Sequence, residues 1–386
     1  MVLAAGAIVL VGCSSESSSP ATPEVPHVFR GPTEAFYRVP EPLPDTEHGS
    51  LVRYQRLDDV AHGRVYRVMY TSRSVSGQPI VVTGLTALPE IGGRDRVVLT
   101  WAHGTSGIAD SCAPSKQSLG VFAAVLDLFL QRGWIVTATD YEGLGTPGRH
   151  PYIAGISEGR STLDAIRAAA QLPGAHAGRS ALIWGHSQGG HAAMFAAELA
   201  ARWTPERRVL GTVSGAPPSH FDELMESLRT SDYRGYVALA AAGIHAAYPR
   251  ARLSQVLTAK GRALLPVVDR ACTDDVFRAF NAVPLDDVVK ANPTMVEPWR
   301  TILAANEPGR VITRSPLLII HGEADKQIPP STSLRLFDEL CARGQLVERR
   351  TYPGQSHGGV ILPSFAPMLQ WMDDRVAGEP SVSGCP

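Results

Sequence analysis

One serine, one aspartate and one histidine in this chain stand where nucleophilic acyl chemistry could be assembled. The serine lies in Gly185-His186-Ser187-Gln188-Gly189, a G-x-S-x-G pattern between an apolar run (181–184) and an alanine-rich helical stretch (191–202). A strand, a sharp turn and a helix are expected there, with Ser187 at the tip. Such a turn lifts the hydroxyl clear of the sheet edge, and flanking glycines let the two backbones approach closely. The pattern recurs at Gly354-Gln355-Ser356-His357-Gly358, but Gly358, Gly359, Pro363 and Pro367 follow, which do not suit a helix start. No histidine remains beyond His357 to serve Ser356, which is read as a loop residue.

A serine hydroxyl is a weak nucleophile until a base takes its proton, and an imidazole base needs a carboxylate to fix its tautomer. The strand-serine-helix turn resembles that of α/β-hydrolases, and the resemblance implies that the acid and then the histidine follow the serine, each on a loop behind a later strand. Residues 315–322 read as a fully buried strand, and the loop after it carries Asp325, taken as the acid. Glu323, two positions nearer the strand, is its rival. A helix over 331–343 and a strand over 345–352 then lead to the loop of His357. Of twelve histidines only His357 lies past Asp325, so chain order alone selects it as the base. The oxyanion of a tetrahedral intermediate needs two backbone N–H groups. Gln188 supplies the first, and Thr105 or Gly104, after the strand that begins at 96, supplies the second. His103 and His321, each ending a strand before a glycine, read as packing residues beside the site. His186 and His191 sit five apart, off one helical face, so no zinc pair is read and no metal or cofactor is expected.

These residues need a sheet to hold them. Segments 64–72 and 79–88 alternate polar and apolar around a Gly77 turn, as an antiparallel opening should. Parallel strands are expected at 97–102, 134–139, 181–184, 209–213, 317–320 and 346–352, with helices between them. The fold class is α/β, a mostly parallel central sheet. Ser187 and Asp325 are 138 positions apart, more than one strand-helix-strand step needs, so a helical lid is placed at 218–310. The core is then 30–217 together with 311–378. Helical stretches at 236–247 and 262–270 alternate with Pro249, Pro284, Pro293 and Pro298. Inserted at the carboxyl ends of the strands, the lid would cover Ser187. Its alanines with Tyr233, Tyr236, Tyr248, Phe277, Phe280 and Trp299 are candidates to line an apolar pocket.

A net charge of −1 offers no general attraction to nucleic acid or to an anionic membrane, and neutral substrates fit best. Apolar content of 44% is ample for a core. Residues 2–12 form an apolar or small-residue stretch, too short to span a bilayer as a helix and suited to a signal sequence. Cys13 follows in a sequence similar to the bacterial lipoprotein box, making 1–13 a signal and lipidation segment and the serine- and proline-rich 14–29 a tether. The protein is expected to be exported and held to a membrane through lipid on Cys13. In that oxidising setting Cys112, Cys272, Cys341 and Cys385 suggest two disulfides, with three pairings possible. A 341–385 bridge would pin the C-terminus beside the histidine-bearing segment.

The segments Trp101-Ala102-His103-Gly104-Thr105-Ser106-Gly107, Asp110-Ser111-Cys112-Ala113-Pro114, Asp140-Tyr141-Glu142-Gly143-Leu144-Gly145 and Gly185-His186-Ser187-Gln188-Gly189-Gly190 resemble the secretory lipase family of α/β-hydrolases over roughly residues 30 to 375. The Gly-His-Ser-Gln-Gly form is commoner in bacterial relatives than in fungal ones. The resemblance implies a carboxylester hydrolase with a helical lid, a triad of Ser187, Asp325 and His357, and a 112–272 disulfide tying the oxyanion-side loop to the lid. The expected function is an exported serine esterase or lipase acting on neutral acyl esters through an acyl-enzyme. The same triad could serve acyl transfer or amide and peptide cleavage, and a silent lipoprotein that binds a hydrophobic ligand is the non-enzymatic alternative.

Overall fold

The computed structural model describes Val2, residues 26–120 and residues 122–386; Cys13 and nearly all of the expected signal and tether lie outside them. Ten strands form one sheet in the order β1-β2-β3-β4-β6-β5-β7-β8-β9-β10. The antiparallel end comprises β1 (His27–Val28), β2 (Leu51–Arg56), β3 (Gly63–Arg73) and β4 (Pro79–Pro89); only the two-residue β1 runs parallel to its neighbour. β4 pairs antiparallel with β6 (Ile135–Thr139), and from there all pairings are parallel, through β5 (Arg96–Ala102), β7 (Ala177–His186), β8 (Arg208–Gly215), β9 (Leu317–Gly322) and β10 (Val347–Tyr352). β9 is buried at all six positions, which is why its sequence is a near-continuous apolar run rather than an alternating one.

Helices cover both faces. After the short α1 (Thr33–Phe36) and α2 (Phe122–Leu130) come α3 (Gly155–Ala170) and α4 (Gln188–Trp203). α3 and α4 bury Leu163, Ile166, Ala193 and Ala196 against Val98, Ile135 and Ile183. On the opposite face Phe129, Met368 and Trp371 pack with Leu99, Leu182 and Leu318; Met368 and Trp371 belong to α13 (Ile361–Ala377). α12 (Pro330–Ala342) crosses between β9 and β10.

Between β8 and β9 the chain leaves the sheet to form α5 (Phe221–Leu228), α6 (Gly235–Ala247), α7 (Leu253–Val256), α8 (Ala259–Leu264), α9 (Thr273–Asn281), α10 (Leu285–Val288) and α11 (Trp299–Ala305). These helices share their own apolar cluster, centred on Leu239, Ile244, Val268, Val276 and Trp299. The helix expected over 262–270 stops at Leu264 and gives way to a 3-10 turn, Leu265–Asp269. Pro266 is the reason, since its ring removes an N–H and crowds the carbonyl four residues back. β2 has no counterpart among the expected strands, and β1 falls inside the stretch read as tether; arginine and glutamine at β2 mask its alternation.

Cys112 and Cys272 form a disulfide, as do Cys341 and Cys385, with S–S distances of 2.03 and 2.04 Å. Among the described residues no helix is long and apolar enough to cross a membrane, and no group of side chains could hold a metal ion.

Candidate active site

β7 ends at His186 and α4 starts at Gln188, which leaves Ser187 alone to make the turn, at φ 61° and ψ −126°. A non-glycine residue there is strained, and the surroundings hold it. The Ser187 N–H donates to Gly215 O at 2.8 Å, and Ser187 O accepts from the His191 N–H at 3.1 Å. The glycines have a steric job: a Cβ on Gly185 would strike Gly189 O, and one on Gly189 would strike Ala102 O. Ser187 is 6% exposed, so the nucleophile candidate is nearly closed off from bulk water.

The loop after β9 brings Asp325 to His357. His357 Nδ1 donates to Asp325 Oδ2 at 2.6 Å, a buried contact that fixes the tautomer with the proton on Nδ1. His357 Nε2 is buried without a hydrogen-bond partner among the described residues, which leaves its lone pair available to accept a proton. The His357 ring lies against His186, the residue before Ser187, with centroids 4.6 Å apart. Burial and the neighbouring His357 push the His186 imidazole down to about 3, so it sits there as a neutral spacer.

Asp325 is satisfied on both oxygens. Oδ1 accepts from the Gln327 and Ile328 N–H groups at 2.8 and 3.0 Å, while Oδ2 accepts from His357 and, at 3.2 Å, from His321 Nε2. Burial would raise this carboxyl, but the hydrogen bonds from His321 and His357 and the electrostatic pull of the His357 ring outweigh it and hold Asp325 well below the usual carboxylate range. His321, expected only to pack near the site, braces Asp325 directly. The rival Glu323 points elsewhere, its Oε1 accepting from Thr351 Oγ1 at 2.8 Å. Ser356 Oγ accepts from the Gly359 N–H, at 3.2 Å, within its own loop.

The loop after β5 lies across the turn. A Cβ built on Gly104 would stand 3.3 Å from His186 O and 3.7 Å from Ser187 Cβ, so the chain at 104 and 105 runs beside Ser187. Thr105 Oγ1 is 2.8 Å from the Tyr152 hydroxyl, and Thr105 O accepts from Thr273 Oγ1 at 3.2 Å. The Cys112–Cys272 disulfide joins the same loop to the lid. His103 is buried, with Nδ1 2.6 Å from Gly104 O.

A cavity of about 90 Å³ opens from Ser187 into the lid. Its wall is mostly apolar and includes Ile153, Phe221, Leu224, Leu228, Ala240 and Trp299. Of the aromatic residues expected to line it, Tyr236 and Trp299 do; Tyr233, Tyr248, Phe277 and Phe280 do not. Tyr233 precedes α6 and Tyr248 caps its end, while on α9 Phe277 packs edge-on to Tyr236 at 4.8 Å and Phe280 is buried in the lid's own core. The Tyr236 hydroxyl donates to Gln327 Oε1 at 2.7 Å and lies against the Ser187 side chain. A lid residue thus meets both Ser187 and the loop of Asp325, a link that periodicity alone could not have singled out.

The secretory lipase family model matches residues 118–384. Secreted triacylglycerol lipase LIP4 of Malassezia globosa is 27% identical over 385 residues, 91% of this chain and 82% of that protein. Among solved structures, lipase A of Candida antarctica in its closed state superposes with a TM-score of 0.79 at 20% identity, covering 91% of this chain and 88% of that one. The rice cell wall degrading esterase LipA from Xanthomonas oryzae superposes with a TM-score of 0.67 at 20% identity, covering 86% of this chain and 97% of that one. The chain belongs to the secretory lipase family, and it is an exported α/β-hydrolase enzyme of lipase or esterase type.

Proposed function

We propose that the protein hydrolyses neutral carboxylic esters by a serine acyl-enzyme route, with the acyl chain seated in the lid cavity. One observation carries the reading: His357 is tied to Asp325 through Nδ1 and keeps Nε2 unpartnered, in a buried setting beside the strained Ser187 turn. His357 Nε2 takes the Ser187 proton as Oγ bonds to the carbonyl carbon. The N–H groups of Gln188 and of Thr105, with Gly104 as the alternative, receive the oxyanion. The imidazolium then protonates the departing alkoxide as the carbon–oxygen bond breaks. Water, deprotonated by the same histidine, cleaves the acyl-enzyme and releases the acid. No cofactor enters these steps.

This reading divides the chain into a catalytic unit, 30–217 with 311–378, and a lid, 218–310, that selects the acyl group. The Malassezia relative is a secreted triacylglycerol lipase by name, and long acyl esters are the corresponding substrate class here. A fluorophosphonate probe tests the chemistry. Its adduct should map by mass to Ser187 and should fall away in His357→Ala; labelling at Ser356, or none, would overturn the assignment.

The finer localisation is also proposed: Cys13 carries the lipid anchor, supported by the apolar stretch 2–12 directly before it. Two acyl chains suffice for stable attachment. Cys13→Ser expressed from the native start should move the protein from the membrane to the soluble fraction. Unchanged membrane partitioning would remove the anchor from the reading.

A further inference from the structure

Beneath the Ser187 turn lies a polar cluster that the acyl-transfer steps do not use. Glu158, in the first turn of α3, is fully buried, as is His191 on α4. Glu158 Oε2 is 2.7 Å from His191 Nδ1, and His191 Nε2 is 2.8 Å from Asn306 O. Both ring nitrogens therefore face acceptors, so both carry protons and His191 is an imidazolium paired with a carboxylate. The pKa shifts run the same way: for each group burial opposes the charge, and the partner's charge and hydrogen bond override it, lowering Glu158 and raising His191. A buried pair of this kind is costly to desolvate and is weak evidence for stability alone, which turns attention to what it holds in place.

What it holds is specific. Glu158 Oε1 accepts from the Gln188 side-chain amide at 2.8 Å and from the Ile153 N–H at 3.0 Å. The second amide hydrogen of Gln188 goes to His150 Nε2 at 2.8 Å; burial pushes that imidazole down to about 4, which keeps it a neutral acceptor. Gln188 is the residue whose backbone N–H is assigned to the oxyanion, and it follows directly on the strained Ser187. Ile153 lines the cavity, and its φ of 62° is an outlier for a β-branched residue. A single carboxylate oxygen thus restrains the chain beside the nucleophile and at the acyl wall. The other oxygen reaches, through His191, the C-cap of the last lid helix at Asn306.

We propose that Glu158 is a positioning residue for acyl transfer, aligning the Gln188 oxyanion donor and the Ile153 cavity wall together; this rests on the acyl-enzyme reading above. The effect belongs to the transition state, because oxyanion donors act on charge that develops only there. Glu158→Gln keeps the shape and loses the charge that orders His191. It should lower kcat on a butyrate ester by roughly 10- to 100-fold with KM changed less than about twofold. Gln188→Ala should lower kcat in the same way. The double variant should fall little further than the worse single one, since both act through one contact. Glu158→Gln should also flatten the dependence of kcat/KM on acyl length, because an uncharged amide oxygen holds the Ile153 N–H less firmly, whereas Gln188→Ala should leave that dependence in place.

Circular dichroism and melting curves establish that each variant is folded. If Glu158→Gln does not fold, Glu158→Asp, which keeps the charge one methylene short of both partners, takes its place with the same expected direction. A folded Glu158 variant with wild-type kcat overturns the proposal, as do losses confined to KM or strictly multiplicative losses in the double variant. Fluorophosphonate labelling of wild-type Ser187 separates the two layers. If the wild type labels at Ser187 and the Glu158 variants keep full kcat, only the positioning role fails; if the wild type does not label, the acyl-enzyme reading fails first.

Discussion

The Ser187 turn and the lid above it are built on opposite terms. At the turn the geometry is tightly fixed: the backbone is strained, Gly185 and Gly189 leave no room for a side chain, and Asp325 accepts four hydrogen bonds. The lid consists of helices of 4 to 13 residues packed on one apolar cluster. Polar ties from the lid to the site run from Tyr236 to Gln327, from Asn306 to His191 and from Thr273 to Thr105, beside the Cys112–Cys272 disulfide. Substitutions at the turn should therefore abolish chemistry for every substrate, whereas substitutions in the lid cavity should redistribute activity among substrates.

The sharpest break comes at the turn. Ser187→Ala and His357→Ala should each reduce kcat on any simple ester on the order of 10⁴- to 10⁶-fold, because the members act as one unit. Asp325→Asn should cost on the order of 10⁴, through the wrong tautomer and an unstabilised imidazolium. Ser356→Ala and Glu323→Gln, whose side chains bond to the Gly359 N–H and to Thr351 on β10 rather than to His357, should stay within about threefold. Steady-state rates on a butyrate ester decide it, and a reversed ranking of Asp325 and Glu323 would move the acid.

The turn was legible because its chemistry constrains residue types at fixed spacing. G-x-S-x-G between a strand and a helix, and a single histidine after Asp325, leave little freedom, and the structure brings Asp325 and His357 together. Position along the chain could not reveal partners that meet only in space. Glu158 lies 30 residues before Gln188, and the two meet only where α3 packs on α4. His321 reads as a strand-end packing residue until the loop after β9 folds back on it. In the lid, helical periodicity marks which residues are buried but not which buried face meets the cavity, so Phe280 and Trp299 look alike in sequence and part company in the fold. Strand β2 escaped because half-buried arginine and glutamine interrupt its pattern.

A cavity-filling change sharpens the comparison from the lid side. Ala240 on α6 lines the cavity and is only partly buried, so a larger side chain has space to enter. Ala240→Phe should lower kcat/KM for laurate or longer esters by roughly 10- to 200-fold, the scale on which a hydrophobic pocket discriminates by methylene groups. Acetate esters should be hydrolysed within about twofold of wild type. An equal loss on all chain lengths would mean that α6 supports the turn rather than the acyl chain, and the division between chemistry and selection would fail there.

The last expected effect falls on stability rather than on rate and lies at the joint between the two regions. Glu198 on α4 is 8% exposed and accepts from the Gly309 N–H at 2.6 Å, just where the chain returns from the lid to the core. Burial raises its carboxyl to about 7, although the N–H groups of Gly309, Arg310 and Val311 pull the other way. The unfolded chain releases this proton near its ordinary value of 4.5, whereas the folded chain keeps it to about 7. Between those values the folded state binds more protons, so stability falls as pH rises through the window and levels off above it. The loss amounts to on the order of 3 kcal/mol. Glu198→Gln keeps an oxygen for the Gly309 N–H and cannot ionise. It should melt with the wild type at pH 5 and several degrees above it at pH 7.5. If the two melting temperatures fall in parallel from pH 5 to pH 7.5, the decline belongs to other groups and Glu198 carries no pH-dependent strain at the joint.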